Sequence, residues 1–133
     1  MIISATPRSV NASQEELFEF LSDFNNYEQL MPDQIVNWRS DTDGCSFTIS
    51  GMLSLALKFK EKTPHDKIDI IPDGKSPIHF TLKINLEEEN QDRTTAKVEV
   101  DADLNPMMAM MAKRPLENLV QMISEKLEKK FEV

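Results

Sequence analysis

Two apolar rhythms follow one another in this chain, and together they narrow what it can fold into. From Ile78 to Leu104 the rhythm is two: Ile78, Phe80, Leu82, Ile84 and Leu86 recur at alternate positions, then Ala96, Val98, Val100, Ala102 and Leu104. From Pro106 the rhythm is helical. At ~100° per residue, Leu116, Leu119, Val120, Ile123, Leu127 and Phe131 fall within a sector of roughly 120°, opposite Arg114, Gln121, Glu125 and Glu128. Strands with one apolar face and a helix with one apolar stripe each need a cover, and each can serve as cover for the other. Burying Leu116, Leu119, Ile123, Leu127 and Phe131 at about 1.5 to 3 kcal/mol each gives roughly 7 to 15 kcal/mol gross. That is comparable to the net stability of a whole domain, so the helix is integral to the fold.

The rest of the chain repeats both signals. Ser13 followed by Glu16 is a capping box, in which each side chain satisfies the other's orphan N–H, and it opens a helix with Leu17, Phe18 and Leu21 on its apolar face. Asn25-Asn26 interrupts it before a second short apolar helix with Tyr27, Leu30 and Met31, ended by Pro32. Phe47 and Ile49, then Leu53, Leu55, Leu57 and Phe59, alternate with smaller or polar residues on either side of a turn at Ser50-Gly51. Ile68 and Ile70 form a short run that stops at Pro72-Asp73-Gly74. The acidic stretch Glu87 to Arg93 reads as a break between two strands, and Pro7 marks the first strand, Met1 to Val10, as an edge or a bulge. Asn105 caps the last helix and Pro106 takes its first position. The sequence thus predicts an α+β fold: an antiparallel sheet of about six or seven strands packed against a long C-terminal helix, with two short helices after strand 1.

Residues 1–133 carry no repeat, low-complexity tract or Gly/Ser linker, and are read as one domain. With 40% hydrophobic and 29% charged residues, the chain has the balance of a folded domain and not of a disordered one. A net charge of -8 predicts repulsion from phosphate backbones and anionic headgroups, which argues against nucleic-acid binding. Cys45 is the single cysteine, so neither an internal disulfide nor a thiolate metal site is expected. No apolar stretch approaches the ~20 residues of a membrane span and no signal peptide is evident, so a cytoplasmic protein, not an integral membrane one, is predicted.

The run Val10-Asn11-Ala12-Ser13, then Leu17-Phe18-x-x-Leu21-x-Asp23, then Tyr27, Leu30, Met31 and Pro32, resembles the START-like superfamily of polyketide cyclases, lipid-transfer proteins and pollen allergens. That family opens on a V-x-A strand end and a V/L-F-x-x-L-x-D helix followed by an aromatic residue and a proline. Beyond Pro32 the likeness is one of element order alone. It implies a helix-grip fold, a curved sheet wrapped around the terminal helix, with a cavity between them for a sterol, lipid, quinone or polyketide. It brings no catalytic motif to carry across.

Catalytic signatures are absent. There is no H-E-x-x-H, phosphate loop or nucleophile elbow, and no catalytic residue, metal ligand or cofactor is expected. His65 lies in a turn and His79 on a polar strand face, Glu87 to Glu89, Asp101 and Asp103 read as solvated, and Asp23 reads as the cap of the helix that follows. The apolar set fits a binding module instead. Phe47, Ile49, Leu55, Leu57, Phe80, Leu82 and Val98 from the strands, and Met108, Leu116, Leu119, Val120 and Ile123 from the helix, are the expected lining, with Tyr27 and Trp38 as polar handles. The expected occupant is an apolar small molecule. Four methionines, Met107, Met108, Met110 and Met111, cluster in the first two turns of the last helix. Met108 borders its core stripe and the others point away, which leaves open irregular packing, a flexible gate at the cavity mouth, or a docking patch for a protein partner or a second copy. A cyclase- or hydrolase-like enzyme would need Asp23, His79 or another ionisable group turned into the cavity.

Overall fold

In the computed structural model, which describes residues 1–51 and 53–132, the chain forms eight strands and two α-helices. The strands are β1 (Ile2–Ser4), β2 (Arg8–Val10), β3 (Ile35–Ser40), β4 (Gly44–Ile49), β5 (Leu53–Thr63), β6 (Lys67–Pro72), β7 (His79–Asn90) and β8 (Arg93–Asp103). The helices are α1 (Gln14–Leu21) and α2 (Pro106–Lys130). One antiparallel sheet runs in the order β1-β8-β7-β6-β5-β4-β3, with β2 continuing β1 along β8. The predicted six or seven strands become eight because the segment around Pro7 breaks the first strand in two, and the register against β8 shifts by one residue between the pieces.

Alternation sets the buried face. Along β7 and β8 the inward pairs are Phe80 with Ala102, Leu82 with Val100, Ile84 with Val98 and Leu86 with Ala96. Each pair sets a large side chain beside a smaller one, and the small members all lie on β8. The long helix α2 packs against β8, β1 and β2, where those small residues let it approach. Its buried residues are Ala112, Leu116, Leu119, Val120, Ile123, Ser124 and Leu127, which is the predicted stripe extended by Ala112 and Ser124, except that Phe131 caps the helix end half-buried, edge-on to Phe20. Polar ties hold the helix in place. Arg8 donates to Glu128 at 2.9 Å and Lys126 to the Met31 carbonyl at 2.6 Å.

The N-terminal region covers the rest of the inner face. Ser13 accepts from the Glu16 N–H at 3.1 Å to start α1, and Leu17 and Leu21 are fully buried. The expected second helix is two successive 3-10 turns, Phe24–Asn26 and Glu28–Leu30, each too short for an α-type bond. Asp23 caps the first of them, accepting from the Asn25 N–H at 2.9 Å. The acidic stretch from Glu87 is also not a break. The strand runs on to Asn90, whose side chain accepts from Asp92 N–H at 2.9 Å, and the polarity reflects solvent on both faces of a protruding hairpin.

The inner face of β3 depends on a bulge. Pairing with β4 shifts by one residue between Val36 and Arg39, and Asn37 sits at φ 57°, a left-handed conformation that Asn tolerates. The inserted residue puts Ile35 and Trp38, three positions apart, on the same side, where strict alternation would oppose them. On α2, Ile123 is fully buried, so Ile123→Ala should lower unfolding free energy by roughly 2 to 5 kcal/mol, whereas Met107→Ala, at a position 73% exposed, should stay within about 0.5 kcal/mol. Urea titrations of the two variants check the contrast.

Candidate functional site

Curvature brings the two ends of the sheet to the same helix. The first half of α2, from Ala109 to Gln121, forms one wall of an open groove of about 1550 Å3, whose other walls are Met1 to Ser4 at one sheet edge and Pro32, Gln34, Ile35 and Ile49 to Gly51 at the other. Such a volume exceeds the ~300 to 1000 Å3 of an enclosed ligand pocket, because the groove is open along the helix. Ile3, Ile35, Ile49, Pro115 and Leu119 give it an apolar floor, and Lys113, Arg114, Glu117, Asn118 and Gln121 give it a polar rim. Pro115, inside α2, has no N–H to offer the Met111 carbonyl, so the helical ladder lacks a rung beside the groove.

The residues singled out in the sequence divide among three places. Ile49 and Leu119 line this groove. Phe47, Leu55, Leu57, Leu82, Val98, Leu116, Val120 and Ile123 lie behind it in the main core, with Met108 packed half-buried against them. Phe80 reaches a separate hollow of about 420 Å3 at the start of β7, beside His79, Asp101 and Asp103. Sequence reasoning did not find Met1 to Ser4, Pro32, Gln34 or Gly51, because none belongs to a strong periodic run. What joins them to the groove is the curvature of the sheet, a long-range property.

The two polar handles differ. Tyr27 is buried and its hydroxyl donates to the Leu21 carbonyl at 2.6 Å, so its donor is used in holding the 3-10 turn against α1. Trp38 stacks on Phe47 with ring centres 5.5 Å apart and planes 9° from parallel. Its Nε1 is buried and, among the described residues, has no hydrogen-bond partner. A buried indole N–H left unpaired is uncommon and calls for an explanation. The candidate acids and bases lie elsewhere: Asp23 is a cap, and His65 and His79 are exposed, His65 edge-on to Phe18. Among the described residues no group of three or more His, Cys, Asp or Glu side chains comes together as a metal site would require.

Cys45 lies buried on β4, and its thiol is pushed up to about 12, chiefly by burial, with the Asp41 charge adding to the rise and a backbone hydrogen bond from Leu57 opposing it. Burial also raises Tyr27 well above its ordinary value, and the neighbouring Cys45 adds to that. Neither group is a poised nucleophile or base at neutral pH.

No family model and no curated protein matches this chain. Solved structures do. A START superfamily protein from Mycobacterium smegmatis superposes with a TM-score of 0.68 at 17% identity, over 97% of this chain and 98% of that one. Norcoclaurine synthase from Thalictrum flavum matches at 0.72 and 11%, over 98% and 85%. The di-domain ARO/CYC BexL from the BE-7585A biosynthetic pathway matches at 0.72 and 11%, over 97% of this chain and 45% of the other. The fold is the START-like helix-grip, as the opening motif implied. Among the described residues no helix is long and apolar enough to cross a membrane.

The raised thiol fixes a sign for alkaline pH. Above the thiol's ordinary value of 9.0 the unfolded chain releases its proton while the folded chain retains it, so the folded state binds more protons and stability falls as pH rises. Between about pH 9 and 12 the loss from this group should approach, at most, roughly 1.4 kcal/mol per unit. Urea midpoints measured from pH 8 to 10.5 should drop more steeply for the wild-type chain than for Cys45→Ala.

Proposed function

We propose that this chain binds an apolar small molecule of the lipid, sterol, quinone or polyketide kind, seated in the groove between the first half of α2 and the two sheet edges. The groove itself carries the reading: an apolar floor with a polar rim suits a greasy body with an oxygenated end. Fold likeness to norcoclaurine synthase and to a biosynthetic-pathway ARO/CYC protein supports a small organic occupant, although 11% identity carries no residue across. Binding without chemistry is favoured because Glu117 is the one carboxylate among the groove residues, and it stands exposed within 4.0 Å of Lys113.

Trp38 is the only tryptophan, so its emission reports on the interior without a label. Titration with oxygenated apolar compounds, a long-chain fatty acid, a sterol and a quinone among them, should give saturable one-to-one changes in that emission for at least one class. Asn118→Trp, which fills the groove from its half-buried rim, should weaken that binding at least about tenfold, read by displacement of an apolar dye, with the melting temperature held. Absence of saturable binding across all classes would overturn the proposal.

A further inference from the structure

The chain's acidity is unevenly spread, and so are its exposed apolar side chains. Among the described residues the large hydrophobic side chains left exposed are Met1, Ile2, Val36, Met107, Met110 and Met111. Met107, Met110 and Met111 sit at i, i+3 and i+4 in the first two turns of α2, 73%, 84% and 59% exposed, on the side away from its buried stripe. Met1 and Ile2 line the same groove as Met110 and Met111. Although 23 residues of the chain are Asp or Glu, none falls between Leu104 and Leu116, and this interval holds Lys113 and Arg114. Lys113 is 65% exposed, and its partner Glu117 lies at 4.0 Å, a surface pair too weak to cancel it.

The geometry points to a membrane-docking surface at the start of α2, where Met107, Met110 and Met111 enter the headgroup layer of an anionic bilayer and Lys113 and Arg114 meet its phosphates. A short apolar face flanked by bases is the composition of a segment that lies in the interface plane. The net charge of -8 predicts repulsion for the chain as a whole, so the acid-free interval is the part of α2 able to approach such a surface. A soluble protein partner fits less well. Binding hot spots favour aromatic and arginine anchors sunk in pockets, whereas the exposed apolar side chains here are aliphatic and stand out into solvent. Docking does not depend on the ligand reading, although a groove with its mouth at a bilayer could exchange an apolar ligand with it.

Flotation of the full chain with vesicles tests this. The wild-type chain should float with phosphatidylcholine and phosphatidylglycerol in equal parts, and weakly or not at all with phosphatidylcholine alone. Replacing Met107, Met110 and Met111 with Gln should abolish flotation. Replacing Lys113 and Arg114 with Gln should weaken it roughly 10- to 30-fold, at ~1 kcal/mol per base. All five positions are exposed, and circular dichroism melts of both variants confirm that they fold. Failure of the wild-type chain to float with either vesicle overturns the proposal, and equal flotation on both, or by the methionine variant, overturns it as well. Tryptophan titration of the wild-type chain in vesicle-free buffer separates the two readings: flotation without ligand response sinks the groove ligand alone, and response without flotation sinks the docking alone.

Discussion

The contact between α2 and β8 organises this molecule. A 25-residue helix can lie close to a strand only if the strand's inward side chains are small, and β8 offers Ala96, Val98, Val100 and Ala102 there. The bulky partners Phe80, Leu82, Ile84 and Leu86 stand one strand away on β7, filling the space the helix does not occupy. Size segregation between two neighbouring strands therefore sets where the helix lies and, through it, how far the sheet must curve before its far edge reaches the same helix.

The groove follows from that curvature. It is bounded by β1 on one side and by the start of β3 with the end of β4 on the other, elements at opposite ends of the strand order. The core behind it is held by α1 and the 3-10 turns, where Phe24 stacks on Phe59 at 4.2 Å and Tyr27 ties back to Leu21. Rigid packing at the back and an open seam at the front are the usual requirements of a binding scaffold.

Much of the architecture was legible in the residues. Alternation located the inward side chains of β7 and β8, the stripe of α2 was right apart from its half-buried last member, and Asp23 capped as its chemistry suggested. The edge position and the one-residue slip around Pro7 were legible from the proline. Two features were not: two 3-10 turns replace a short helix, and the acidic hairpin to Asn90 continues a strand whose polarity looked like a terminus. Local composition reports the solvent a segment meets, and in each case it was the tertiary setting that determined the geometry. The groove was harder still: interior positions could be read from periodicity, but the residues at the seam face one another only because the sheet curves, and the side on which Trp38 lies depends on a single inserted residue.

That insertion has a second effect. Sheets that do not close leave backbone donors and acceptors along their outermost strands, where another chain can add on and begin a fibril. Here one margin is two strands of three residues, interrupted around Pro7, each too brief to template a neighbour. The other is kinked at Asn37, whose left-handed backbone throws the hydrogen-bonding row out of line. The same irregularity that turns an indole toward the interior thus also guards the open border against self-association.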